Sequence, residues 1–173
     1  MPRDAVEFER VVLAHAGNLL RFARKLVGGG AEAEDLVQQA VLSAWRHFDQ
    51  YERSSNPRAW LFRILVNVRN REFRRLCSRP RTISMDEAPR AFPAKGNVVE
   101  LISVRAAFGL LSEEHRQALL LAIVEGFSVK ELSRILEIPS GTVMLRLSRA
   151  RAKLRVLLGR CDAADPDWIH RRT

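Results

Sequence analysis

Residues 111–155 read LSEEHRQALLLAIVEGFSVKELSRILEIPSGTVMLRLSRARAKLR. Within them, Ser128-Val129-Lys130-Glu131 has the form of a capping box. The serine hydroxyl accepts from the backbone N–H three residues on, and the glutamate reaches back to the serine N–H. A short amphipathic helix follows, with Val129, Leu132, Ile135 and Leu136 on one side. Glu137-Ile138-Pro139 breaks it, because proline disfavours helix for the residue before it. A second helix starts near Ser140-Gly141-Thr142 and carries Val143, Leu147, Ala150 and Leu154 at helical spacing. Helix, tight turn and a helix ending in bases is the pattern of a helix-turn-helix. The second helix presents Arg146, Arg149, Arg151, Lys153 and Arg155 with no acid between them. Phosphates attract such a surface whatever the base sequence, and base edges in the major groove add specificity. DNA binding is therefore expected, against the alternative of a merely solvated helix.

The whole chain supports this direction. Its 173 residues carry a net charge of +9 and are 47% hydrophobic and 28% charged, the composition of a folded globular protein rather than a disordered one. The pI near 10.8 favours a polyanionic partner. Bases cluster in 69–81 and again in 146–160, and no apolar stretch is long enough to span a bilayer. Cys77 and Cys161 form no CxxC, and His15, His47, His115 and His170 are scattered, so neither a metal site nor a disulfide framework is expected. With no signal-peptide pattern at the start, a reducing cytoplasm fits.

Working outward, every segment before Arg79 is helical in period. Residues 6–27 carry Phe8, Val11, Val12, Leu19, Leu20, Phe22 and Leu26 and stop at Gly28-Gly29-Gly30. Residues 31–48 repeat the pattern with Leu36, Val37, Ala40, Val41, Ala44 and Trp45, and their acidic start at Glu32, Glu34 and Asp35 suits a helix N-terminus. A polar loop, 49–56, precedes Pro57, a good first-turn residue. The next helix is expected to bury Trp60, Leu61, Ile64, Leu65 and Val68 before it turns basic. Residues 80–97 hold Pro80, Pro89, Pro93 and Gly96 among polar residues and read as a linker. Fully extended, they reach roughly 60 Å. A second helical unit opens at 98–108, and Ser112 is placed to cap the next helix, with Glu113 and Glu114 in its first turn. The expected fold is all-α: two small helical domains joined by a flexible linker, the second containing the helix-turn-helix.

At this point the chain resembles the extracytoplasmic-function (ECF) sigma factors, the minimal two-domain class of the bacterial sigma-70 family. One half carries Ala33-Glu34-Asp35-Leu36-Val37-Gln38-Gln39 and Trp60-Leu61-Phe62-Arg63-Ile64-Leu65-Val66-Asn67. The other carries Leu111-Ser112-Glu113-Glu114-His115-Arg116, Gly141-Thr142-Val143 and Arg149-Ala150-Arg151. The resemblance implies residues 1–79 as a region 2-like domain that binds core RNA polymerase and the promoter −10 element. It implies 80–97 as linker, 98–160 as a region 4-like domain that binds the −35 element, and 161–173 as a tail. Polymerase contact falls to Asp35, Gln38, Gln39 and Leu42. Capture of the −10 element falls to the loop with Gln50, Tyr51 and Ser54 and to Asn67, whose amide offers a base edge both donor and acceptor, with Arg69, Arg71, Arg74 and Arg75 holding phosphate nearby. The −35 element falls to Gly141, Thr142, Leu145, Arg146, Ser148, Arg149 and Lys153. The implied partners are core RNA polymerase (β and β′ subunits), promoter DNA and an anti-sigma factor.

Three departures from the family pattern stand out. Met144 and Leu145 follow Gly-Thr-Val where a basic residue and a serine are usual. Glu137 occupies a turn position usually held by glycine. In the linker, Arg81, Arg90 and Lys95 outnumber Asp86 and Glu87, whereas the family's linker is acidic.

Other functions fit less well. An operator-binding helix-turn-helix regulator would need a dimerisation or ligand-sensing domain, and the first half has neither a heptad nor a pocket signature. A sigma-like decoy would add a receiver domain for which there is no room. An enzyme is disfavoured, since no Gly-rich phosphate loop, metal-ligand spacing or nucleophile motif occurs; no catalytic residue and no cofactor are expected.

Overall fold

The computed structural model describes residues 5–52, 55–78, 104 and 106–158. Ser54, the linker, Cys161 and the tail lie outside them. Among the described residues there are helices and turns and no strand.

The first unit is a three-helix bundle. Helix α1 (Ala5–Val27) buries Phe8, Val12, Leu19, Phe22 and Leu26. It ends where Gly28 and Gly29 take φ of 100° and 96°, a region open to glycine without a Cβ penalty. Helix α2 (Gly30–Arg46) lays Ala33, Leu36, Ala40 and Ala44 on the core, and three alanines on that face allow close approach of its neighbours. A 3-10 turn at Phe48–Gln50 shortens the loop expected at 49–56. Helix α3 (Pro57–Cys77) starts from Asn56, whose side-chain oxygen accepts from the N–H of Arg58 at 3.0 Å and of Ala59 at 3.3 Å. Phe8 meets Trp45 and Phe48 edge-on at 4.9 and 5.1 Å, closing one end of the bundle.

The second unit holds α4 (Glu113–Leu119), which continues into a π-turn at Leu120–Val124, then α5 (Val129–Leu136) and α6 (Ser140–Leu157). Ser112 stands at the start of α4 without a side-chain capping bond, so the cap expected of it does not form. Both halves of the Ser128–Glu131 capping box do form. Burial opposes ionisation of Glu131, but hydrogen bonds from the Ser128 backbone and side chain outweigh it and hold the carboxyl below its ordinary range. Leu132 and Ile135 of α5 and Val143, Leu147 and Ala150 of α6 are buried together.

Between these helices Glu137 adopts φ 56°, ψ 42°, the left-handed region. An L residue with a Cβ is strained there by roughly 1–2 kcal/mol. Glu137→Gly should relieve that strain, offset partly by the greater freedom of an unfolded glycine. The expected net gain is about 0.5–1 kcal/mol, seen as a higher urea midpoint at unchanged slope.

The two units do not merely share a tether. Helix α3 packs on α5, and α1 packs on the π-turn, so the buried residues form one continuous core. Phe62 is fully buried, with Phe22 of its own unit and Phe127 of the other each 5.2 Å away edge-on. Helix α3 is thus covered on two sides. This is why Phe62 and Val66 are buried beyond the face expected from its spacing, while Ile64 is only half-buried.

Candidate nucleic-acid interface

Helix α6 divides cleanly by face. Val143, Leu147 and Ala150 point into the core, while Gly141, Met144, Leu145, Ser148, Arg149 and Lys153 are exposed. No acid occurs in the helix. Thr142 is half-buried at its first turn, near the free N–H groups of the helix start. Of the expected −35 residues, Arg146 stands apart. It pairs with Glu114 of α4 at 3.0 Å and is drawn toward the scaffold.

On α3, Asn67 is half-buried, and among the described residues its side chain makes no hydrogen bond. Arg71 and Arg74 are exposed, and Arg74 Nε donates to its own helix at Asn70 O, 3.2 Å away. Gln50 is exposed on the 3-10 turn. Tyr51 instead joins the aromatic cluster, stacked on Phe48 at 5.5 Å and tilted against Trp60 at 4.9 Å. Its ring faces are partly occupied by the protein itself. Trp60 is buried, in keeping with its expected core role, and Phe62 is buried as well, whereas Phe73 is 39% exposed.

The largest departure is Arg69. Expected as an outward phosphate contact, it is 8% exposed. Its Nε donates to Glu113 Oε1 at 3.0 Å and its Nη1 to Glu32 Oε1 at 3.3 Å. Burial opposes ionisation of Glu113, but the hydrogen bond from Arg116 and the charges of Arg69 and Arg116 outweigh it, so its carboxyl is held below the usual range. In this arrangement Arg69 cannot reach a phosphate, because the second unit covers it.

Three further polar contacts join the units. Arg58 Nη2 donates to Glu125 Oε2 at 2.8 Å and its guanidinium lies 4.2 Å from the Phe127 ring centre. Asn56 Nδ2 donates to Glu131 Oε1 at 3.1 Å, and Gln117 Nε2 to Asn70 Oδ1 at 2.8 Å. Arg58 and Glu125 carry no local signal that announces this pairing, since 67 residues separate them.

The expected polymerase-binding residues share one surface. Asp35, Gln38, Gln39 and Leu42 fall at i, i+3, i+4 and i+7 on α2, and all four are exposed. Leu42 is 56% exposed, and the buried alanines on the opposite side hold the helix in place.

Comparisons with known proteins agree with this architecture. A family model described as Sigma-70 region 2 matches residues 11–78, and one described as Sigma-70, region 4 matches 101–154. The chain is 34% identical over 152 residues to the ECF RNA polymerase sigma factor EcfG of Rhodopseudomonas palustris, covering 85% of this chain and 82% of the relative. It is 33% identical over 156 residues to the ECF RNA polymerase sigma factor SigM of Mycobacterium tuberculosis, covering 90% and 79%. Among solved structures, the sigma factor RpoE in complex with the anti-sigma factor NepR from Bartonella quintana superposes with a TM-score of 0.74 at 32% identity, over 90% of this chain and 99% of that one. CnrH in complex with the cytosolic domain of CnrY gives 0.66 at 28% identity, over 90% and 89%. The chain belongs to the sigma-70 family and, within it, to the ECF RNA polymerase sigma factors.

Proposed function

We propose that this sigma factor directs core RNA polymerase to specific promoters in the cytoplasm and aids melting of the −10 element, with no catalytic chemistry of its own. Residues 1–79 serve the polymerase and the −10 element, 80–97 link, 98–160 serve the −35 element, and 161–173 form a tail. The observation that carries the reading is the outward side of α6. Val143, Leu147 and Ala150 are buried in packing on α4 and α5, leaving Ser148, Arg149 and Lys153 facing solvent on an acid-free helix. Asp35, Gln38, Gln39 and Leu42 offer the polymerase a second, separate surface. The sigma factor RpoE, solved in complex with the anti-sigma factor NepR, supports a partner of that kind here.

Because Arg69 is committed to Glu113 and Glu32, a phosphate contact by Arg69 requires the two units to part. The reading therefore has the closed arrangement open when the holoenzyme engages DNA. Run-off transcription with purified core polymerase on a genomic library, followed by start-site mapping, tests the function directly. Absence of initiation on every template would sink it, and specific duplex binding by the chain alone would favour an operator-binding regulator instead.

Melting without nucleotide hydrolysis must be balanced by trapping unstacked bases, at a cost of a few kcal/mol each. Asn67, with a free amide beside exposed Arg71, suits that role. Asn67→Ala should lower open-complex formation about tenfold, the loss of one to two hydrogen bonds to a base edge, while closed-complex binding holds. Permanganate footprinting reads the difference, and unchanged thymine reactivity would remove Asn67 from the mechanism.

A further inference from the structure

Helical spacing puts Gly141, Leu145, Ser148 and Ala152 in one line along the solvent side of α6, opposite Val143, Leu147 and Ala150. Arg149 and Lys153 flank this line on one side and Met144 and Arg155 on the other. Leu145 is 47% exposed and Met144 52% exposed. Among the described residues, this isobutyl group at the centre of a basic face belongs neither to the core nor to the apolar residues packed against it. Its neighbours in the line are small, and a Cβ built on Gly141 would meet nothing within 4 Å. Internal packing therefore does not require glycine there, although glycine weakens a helix by about 1 kcal/mol relative to alanine. Small residues around one protruding leucine let the helix approach a surface closely and push one apolar group into it.

The flanking bases and the absence of any acid in α6 select a polyanion as that surface. In the major groove of duplex DNA, the thymine 5-methyl is the apolar group displayed on base edges. Arg146, expected with Leu145 among the −35 residues, pairs with Glu114 at 3.0 Å, which leaves the centre of the face to the leucine. We infer that Leu145, with Met144 beside it, is a specificity-determining residue that reads thymine methyl groups in the −35 element. The inference rests on the promoter-binding reading above and adds to it the chemical group being read.

The test separates the two. Holoenzyme reconstituted from core polymerase and the full chain first enriches an upstream element from a randomised duplex pool. That element is then resynthesised with deoxyuridine in place of thymidine, one position at a time, deleting the methyl and keeping every hydrogen-bonding group. Wild-type holoenzyme should lose about fourfold in affinity at one or two positions, the factor matching about 0.8 kcal/mol for a buried methyl-sized group. Leu145→Ala holoenzyme should bind the thymine duplex about fourfold more weakly and be indifferent to uracil at those same positions. Leu145→Met should retain part of the methyl sensitivity, and thermal melts of both variants should match the parent. Equal uracil losses in parent and alanine variant, or none in either, would overturn the inference while leaving promoter recognition standing. If the holoenzyme enriches no sequence, the promoter-binding reading falls first and the methyl contact with it.

Discussion

Arg58→Ala should weaken the closed arrangement by about 3–5 kcal/mol, the usual cost of leaving one member of a buried ion pair alone. Glu125 has a side chain only 2% exposed, and among the described residues one of its oxygens already has no hydrogen-bond partner. Removing Arg58 takes away the other oxygen's donor, the bond to the Glu125 backbone carbonyl and the cation–π contact with Phe127 together. The two units should separate more readily, raising the radius of gyration in small-angle scattering and lowering the melting temperature. A second substitution checks the cause. Arg58→Ala combined with Glu125→Leu should recover part of the stability, because no buried charge then lacks a partner. A variant that scatters and melts like the parent would show that this pair does not hold the units together. If opening limits assembly with core polymerase, the open-shifted single variant should also associate faster.

Leu42→Glu should do the reverse: leave the fold intact and weaken holoenzyme formation. Leu42 is exposed at 56% on α2, and substitutions at such positions change stability by about 0.5 kcal/mol or less. In a polymerase contact, a carboxylate at an apolar anchor would be desolvated without a partner. The expected loss is about 2 kcal/mol or more, roughly thirtyfold in affinity. Titration of labelled sigma factor with core polymerase measures it, and parental affinity would move the contact off this face of α2.

Much of the site was readable because it is local. The capping box lies within four residues, and the left-handed turn at Glu137 sits between two periodic segments. The split of α6 into a core side and a basic side follows from 3.6-residue spacing alone. The α2 residues Asp35, Gln38, Gln39 and Leu42 came from the family resemblance, and helical spacing puts them on one exposed face, away from the buried Ala33, Leu36, Ala40 and Ala44.

The sequence by itself thus determined the helices, their order, the helix-turn-helix and the family to which they belong. Only the tertiary structure decided which side chains those helices hide from one another. Phe62 is buried between Phe22 of its own unit and Phe127 of the other, and Arg69, Glu113, Gln117 and Glu125 are charged or polar residues taken out of water. Periodicity reports a helix with one buried face, but α3 has two. A buried charge is stable only beside its partner, and those partners lie 44 residues away for Arg69 and 67 for Arg58. That distance along the chain is bridged by packing of whole helices, which no local pattern encodes.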